Sequence, residues 1–440
     1  MRYARVGQVL LTVLASCAST PGATPVSPTV ASPSAAAGPP PASAASAVAI
    51  AVPPAVTAAS VTTPPPPAAP STDSSAASAA AAASNGPTFF GAIDVGGKGI
   101  KAFVFKLVQA SDCSPPGTSG SVPLPCVYGE PIFSSEAVTT LTSSAIGKKF
   151  SAQGIDDAAT ATAMLLDKMK EAATQKAVSP NYFIAASSGV AEFENKDDLK
   201  AAVEAKTKMP LNFVDAAAEA EGGLLSFAPH DPEILDTAFS VDIGSTNTKV
   251  GCMISRTFGA AELPYGTVTL RQAVPPATDY KAALRTFLKG TVEPEYVADQ
   301  NKIPCIQSRP IAYFIGGASW AAATFTHPEM ATCSFVPLTL RELDDFIHRI
   351  ENGTWRRDPH DVRQTCPTDG HNADPSRADR RRVMDRYSEN DLLAGISILR
   401  LILAKSNPDA KAYFARKGNY IYGWAIKHYK DARFDSGHQK

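Results

Sequence analysis

Two stretches of this 440-residue chain set a carboxylate beside a glycine-rich turn: Asp94-Val95-Gly96-Gly97-Lys98-Gly99-Ile100-Lys101 and Asp242-Ile243-Gly244-Ser245-Thr246-Asn247-Thr248-Lys249. Glycines let backbone N–H groups face an oxyanion, and an Asp at that point can hold a hydrated cation on the same phosphate. One such turn is a weak signal, but the pattern recurs 148 positions later, from Asp94 to Asp242. Ser187 and Ser188 add small hydroxyl donors, and Glu219 and Glu221 add carboxylates. Together these types suit phosphoanhydride hydrolysis. That reaction needs the terminal phosphoryl group held by donors, its charge offset, and a water aimed in line.

Regular elements must position these groups. Apolar runs flank both glycine turns, Phe89 to Val95 with Ile100 to Phe105 and Ala238 to Ile243 with Val250 to Ile254, so each reads as a β-hairpin with its Asp at the end of the first strand. Asn181 to Ala186 reads as a strand ending at Ser187-Ser188-Gly189, and Leu211 to Val214 as a strand running into a helix that carries Glu219 and Glu221. A later strand, Ile311 to Ile315, ends at Gly316-Gly317.

The duplicated hairpin resembles the actin, Hsp70 and sugar-kinase superfamily, in which two related domains each point such a hairpin at the phosphates between them. Within it, the order of segments is similar to the exopolyphosphatase/guanosine-pentaphosphate phosphatase (Ppx/GppA) family, and also to apyrases. The matching segments are Ala185-Ala186-Ser187-Ser188-Gly189, Glu219-Ala220-Glu221-Gly222-Gly223-Leu224, Leu263-Pro264-Tyr265-Gly266-Thr267-Val268, Gly316-Gly317-Ala318-Ser319 and the late helices from Leu338 and Asn390, over roughly residues 89 to 430. The resemblance implies an α/β fold of two actin-like (ribonuclease H-like) domains with a phosphate-binding cleft, the first at 88–236 and the second at 237–390, with C-terminal helices at 391–440 packing across the hinge.

It further implies Mg²⁺ or another divalent cation oriented by Asp94 and Asp242. Phosphate would be held by Gly96, Gly97, Lys98, Gly99, Ser187, Ser188, Gly244, Ser245, Thr246 and Asn247, and a nucleotide or chain bound at Gly316 and Gly317. Glu221 aligns with the family's water-activating glutamate. Polyphosphate, guanosine pentaphosphate and nucleoside di- or triphosphates all remain open as substrates. Three positions depart from the pattern. Lys249 stands where relatives commonly carry Glu or Gln, Lys98 where they carry Ser, Asn or Thr, and the Arg many place after Ser188-Gly189 is missing. With Lys101, these lysines imply a more cationic and less metal-dependent cleft, or a site that binds without hydrolysing. The first hairpin also resembles polyphosphate-dependent glucokinases, but their second phosphate motif lies much closer to the first.

Composition bounds the rest. With 41 Lys+Arg against 42 Asp+Glu, nothing favours nucleic acid or a membrane surface as partner. No apolar run reaches the roughly 18 residues of a helical span. The start, Met-Arg-Tyr-Ala-Arg followed by Val6 to Ala15, reads as an export signal, and Leu14-Ala15-Ser16-Cys17 resembles the lipobox of bacterial lipoproteins. Lipidation of Cys17 would tether the protein to the cell envelope, with Ala18 pointing to the outer membrane, facing the periplasm or the cell surface. Residues 18–87 carry one charged residue, Asp73, and no aromatic one, so they read as a disordered Pro/Ala/Ser tether. Six further cysteines suit disulfides, with Cys113–Cys126 the favoured pair and Cys252 read as a small buried hydrophobe. His360, Cys366, Asp369 and His371 are too irregularly spaced to favour zinc. Oligomeric state is not legible, and a dimer is compatible with the sequence.

Overall fold

The computed structural model describes residues 87–110, 126–142, 144–145, 147–227, 235–357, 362–366 and 375–429. The export signal, Cys17, nearly all of the tether, Cys113, and His360, Asp369 and His371 of the candidate zinc cluster lie outside them.

The first sheet holds β1 (Phe89–Val95), β2 (Gly99–Ala110), β3 (Cys126–Val138), β4 (Asn181–Ala186) and β5 (Leu211–Phe213), in the order β3-β2-β1-β4-β5. β1 to β3 pair antiparallel, whereas β4 and β5 run parallel to β1. The second sheet repeats this plan with β6 (Ala238–Ile243), β7 (Thr248–Ile254), β8 (Thr257–Leu263), β9 (Ile311–Gly316), β10 (Phe335–Leu338) and β11 (Lys411–Ala415), in the order β10-β11-β9-β6-β7-β8. β8-β7-β6-β9-β11 thus matches β3-β2-β1-β4-β5, directions included. β1 and β6 are central and buried almost throughout, which is why both read as continuous apolar runs.

The helices are α1 (Ala152–Gln175), α2 (Ser188–Ala191), α3 (Lys196–Thr207), α4 (Ala216–Leu225), α5 (Thr267–Ala273), α6 (Tyr280–Phe287), α7 (Glu293–Gln300), α8 (Cys305–Ser308), α9 (Gly317–Thr326), α10 (Leu340–Glu351), α11 (Pro375–Arg386), α12 (Glu389–Lys405) and α13 (Tyr420–His428). None among the described residues is long and apolar enough to cross a membrane.

The chain after 390 is not helical throughout. β11 lies inside the second sheet, between β9 and β10, so that sheet is completed by residues beyond the segment expected to form it. Two helices exchange sides. α4 leaves the first sheet but buries Leu224 against Ala238, Tyr313 and Ile315 of the second. α13 returns to cover the first, with Tyr422 over Phe105 at 4.6 Å and Trp424 stacked on Phe183 at 4.4 Å between ring centroids. Each such ring pair contributes about 0.5–1.5 kcal/mol beyond its buried area. The helices touch backbone to backbone, since a Cβ on Gly423 would stand 1.9 Å from the Gly222 carbonyl oxygen.

Two disulfides are present among the described residues, Cys252–Cys305 and Cys333–Cys366. Cys252 is therefore not merely a small hydrophobe, since it ties β7 to α8. Cys366 is also removed from any zinc set, because its sulfur is bonded to Cys333.

Candidate active site

Each hairpin tip is closed by the same bond. Gly96 N–H donates to Gly99 O at 3.1 Å, and Gly244 N–H to Asn247 O at 3.0 Å. The tips meet, for a Cβ on Gly97 would stand 3.0 Å from Ser245 Oγ. Thr142 braces the first tip by donating from Oγ1 to Gly97 O at 2.7 Å. The second tip rests on the start of α5, where Thr267 N–H donates to Gly244 O and Val268 N–H to Ser245 O. Gly266 permits that approach, because a Cβ there would stand 2.5 to 2.6 Å from Ser245 C, Gly244 O and Thr246 N. Gly266→Ala is expected to push the tip off α5 and cost about 1–3 kcal/mol, read as a lower urea midpoint. An unchanged midpoint would show that the tip does not depend on this contact.

The equal tips fix equal registers, so Asp94 faces Lys101 across the first hairpin and Asp242 faces Lys249 across the second. Lys101 Nζ lies 3.6 Å from Asp94 Oδ2, and Tyr420 OH donates to Asp94 Oδ1 at 2.7 Å. Lys249 Nζ, 2% exposed, lies 3.2 Å from Asp242 Oδ2 and 2.8 Å from Glu219 Oε1. The second Glu219 oxygen accepts Ser188 N–H at 2.7 Å. Burial alone would push the Glu219 carboxyl up, but Lys249 and Ser188 hold it below its ordinary range. Burial does push Asp94 and Asp242 up. For Lys249, the two carboxylates outweigh burial and keep the ammonium charged.

Glu221, aligned with the water-activating position, lies elsewhere. α4 starts from the Asp215 cap, whose side chain accepts Ala218 N–H at 2.7 Å. Two residues along a helix turn a side chain by about 200°. Glu219 therefore faces the hairpins, and Glu221 turns away to Lys427 of α13, 2.6 Å off.

The cation expected at Asp94 and Asp242 is a hydrated one, oriented through its waters, and the residues bear first on whether an ion could bind them directly. An ammonium already stands against each carboxylate, and no group of three or more His, Cys, Asp or Glu side chains suited to a metal occurs among the described residues. A divalent ion about 4 Å from one ammonium would be repelled by about 8 kcal/mol at an effective dielectric of 20. These residues do not fit a directly bound divalent cation.

Other predicted residues converge. Asn247 donates from Nδ2 to Ser188 Oγ at 2.8 Å, and Gly189 lies against Thr246. Ser187 follows β4, its N–H donating to Val95 O. Lys98 reaches Asp391 at 3.2 Å, which also binds Arg271, and sits 4.9 Å from the Tyr387 ring centre. Burial pushes the Lys98 ammonium below its ordinary range, against the pull of Asp391. Gly316 and Gly317 make room for the protein's own groups. A Cβ on Gly316, at φ +87°, would stand 2.6 Å from Asp242 Oδ1, and one on Gly317 1.8 Å from Tyr387 OH. The sequence reading missed Thr142, Tyr420, Arg271, Tyr387 and Asp391. All but Thr142 come from far along the chain, Tyr420 lying 326 positions from Asp94.

Asn247 also donates to Glu262, whose partner across the cleft is Glu192. Burial, then the nearby Glu192 carboxyl, pushes Glu262 up to about 7 from 4.5. The folded chain thus holds a proton that the unfolded chain releases. Its contribution to stability is complete below about 4.5 and is lost as pH rises through about 7. Melting curves of wild type and Glu262→Gln, compared between about pH 5 and 8, should show wild type falling relative to the variant. Parallel profiles would remove Glu262 as the titrating group.

No family model and no curated protein matches the sequence. Solved structures do match. A Ppx/GppA family protein of Aquifex aeolicus superposes with a TM-score of 0.52 at 12% identity, over 79% of this chain and 99% of its own. An exopolyphosphatase of Cytophaga hutchinsonii gives 0.54 at 12% identity, over 79% and 99%. An exopolyphosphatase-like protein gives 0.56 at 12%, over 78% and 99%. The chain has the fold of the exopolyphosphatases. It is a two-sheet, actin-like α/β fold, as the duplicated hairpins implied. At this identity the likeness is one of fold, so the chemistry must be argued from the residues.

Proposed function

We propose that this chain hydrolyses phosphoanhydride bonds of polyphosphate, guanosine pentaphosphate or nucleoside di- or triphosphates in the cleft between its two sheets. One observation carries the reading: two equivalent glycine turns meet tip to tip, with a buried carboxylate, Glu219, beside them. N–H groups of the two tips hold the terminal phosphoryl oxygens, aided by Ser188 and Asn247. Glu219 orients a water in line with the terminal phosphorus. As the water oxygen bonds to phosphorus, the bridging oxygen departs with its electron pair and the water's proton passes to the carboxylate. Lys249 fixes Glu219 in place and offsets the charge that develops.

The tight pairing of Glu219 with Lys249 favours a second reading, a phosphate-binding protein that does not turn over. Phosphate release from each of the three substrate classes by the full-length chain separates them. Release from at least one supports the hydrolase; binding without release supports the receptor; neither overturns both. We place the protein at the cell envelope, tethered through Cys17, a reading supported by the lipobox-like segment and by disulfides suited to an oxidising compartment. Cys17→Ser should move it from the membrane to the soluble fraction.

A further inference from the structure

We infer that the cleft takes its phosphate anion free of divalent metal, with Lys249, and Lys101 in support, standing as resident cations where an ion would otherwise bridge phosphate and carboxylates. The inference rests on the phosphate-site reading above and adds which form of the anion is bound. Its first support is repetition. Asp94 to Lys101 and Asp242 to Lys249 have the same spacing, the same cross-strand register and the same kind of turn between them. A single lysine in such a place is an accident of one hairpin, but the same pair in both is a property of the cleft.

The second support is the state of the carboxylate oxygens. Both oxygens of Asp94 have a donor or cation, Tyr420 and Lys101, as do both of Glu219, Ser188 and Lys249. Asp242 Oδ2 faces Lys249. A divalent ion that keeps several waters still needs one or two free carboxylate oxygens beside the phosphate, and here the oxygens named already face a donor or an ammonium. Admitting one here means displacing a buried ammonium with nowhere wet to go, since Lys249 is 2% exposed. The third support is charge. Three carboxylates alone would draw a cation and repel phosphate, whereas two ammonium groups offset most of that charge from within the chain. A phosphate complexed to Mg²⁺ would bring a second cation into the same space.

The test uses the full-length chain with Mn²⁺ alone as probe, read by the paramagnetic resonance of free Mn²⁺, and inorganic phosphate binding read by calorimetry. Wild type should leave Mn²⁺ free, and phosphate should bind equally well with EDTA as with Mg²⁺. Lys249→Gln should create one Mn²⁺ site per chain, roughly tenfold or more tighter than any in wild type, because Asp242 and Glu219 are released. If that variant does not fold, Lys101→Gln, altering a side chain that is 45% exposed, frees Asp94 for the same comparison. A wild-type chain that binds one Mn²⁺ as tightly as the variants, or whose phosphate binding is abolished by EDTA, overturns the inference. If phosphate binds under no condition, the phosphate-site reading falls, and the Mn²⁺ comparison still decides whether the lysines exclude a metal.

Discussion

Glu219→Gln is expected to lower phosphate release by about 10²–10⁴-fold, the usual contribution of a positioned general base. Glu221→Gln should leave release within about twofold of wild type, because an exposed ion pair such as Glu221–Lys427 contributes little. The contrast is sharp because the two residues share a helix and a side-chain type, and differ only in the way they face. Gln keeps the length of the side chain and can still accept the Ser188 N–H, so the loss should fall on kcat rather than on KM. A structural role for Glu219 would instead lower the melting temperature and disturb both constants. If Glu221→Gln is the inactive variant and Glu219→Gln the active one, water is oriented from the α13 side of α4 and the site must be redrawn.

That contrast also marks where the sequence stops being legible. The hairpins could be read because each is local: an apolar strand, Asp-x-Gly, a short turn and a second strand identify themselves within some 15 residues. Choosing Glu219 over Glu221 needed the direction in which α4 faces, which is set by packing on the second sheet. A partial signal was available. Gly222 and Gly223 lie three and four residues after Glu219 and mark close packing of that side of the helix, Gly222 against the Tyr420 backbone and Gly223 against the Ile315 side chain. The equal Asp-to-Lys spacing of the two hairpins was equally readable. Turns of equal length must place those residues opposite one another, and only the lysines' chemistry, not their register, was taken from the sequence.

Other features could not be read locally. β11 is five residues long, follows a long helix, and pairs with β9, whose residue Ile311 precedes its partner Lys411 by 100 positions. No local pattern announces a strand that completes a sheet begun far upstream. Cys252 looked like a core residue because it is one: it is buried, and its bridge partner Cys305 lies 53 positions away, beyond reach of any local pattern. Asp391, which holds Lys98 and Arg271, sits at the start of α12, where an acidic residue is expected on helix grounds alone.

Lys249→Met should be the most destabilising of the cleft substitutions, costing about 3–5 kcal/mol, the range for removing one partner of a buried ion pair. Met matches the length of the lysine stem, so the loss is of charge and donors rather than of packing. Glu219 and Asp242 would then be two like charges facing one another with their side chains largely buried. Each is stabilised by taking up a proton, which raises its folded pKa above its unfolded value. For such a group the folded state is favoured below the folded pKa and penalised above it, so the variant should regain stability as pH falls from about 7 toward 5. Wild type should not gain in this way from Glu219, whose carboxyl Lys249 keeps below its ordinary range. Urea unfolding of both proteins across that interval reads the difference directly. Adding Glu219→Gln to Lys249→Met removes one of the stranded charges, so the double variant should be more stable at neutral pH than Lys249→Met alone, with a coupling of about 0.5–3 kcal/mol. Equal stability of wild type and Lys249→Met at pH 7 would mean that the ammonium is not held between the two carboxylates in solution, and the resident-cation account would fall with it.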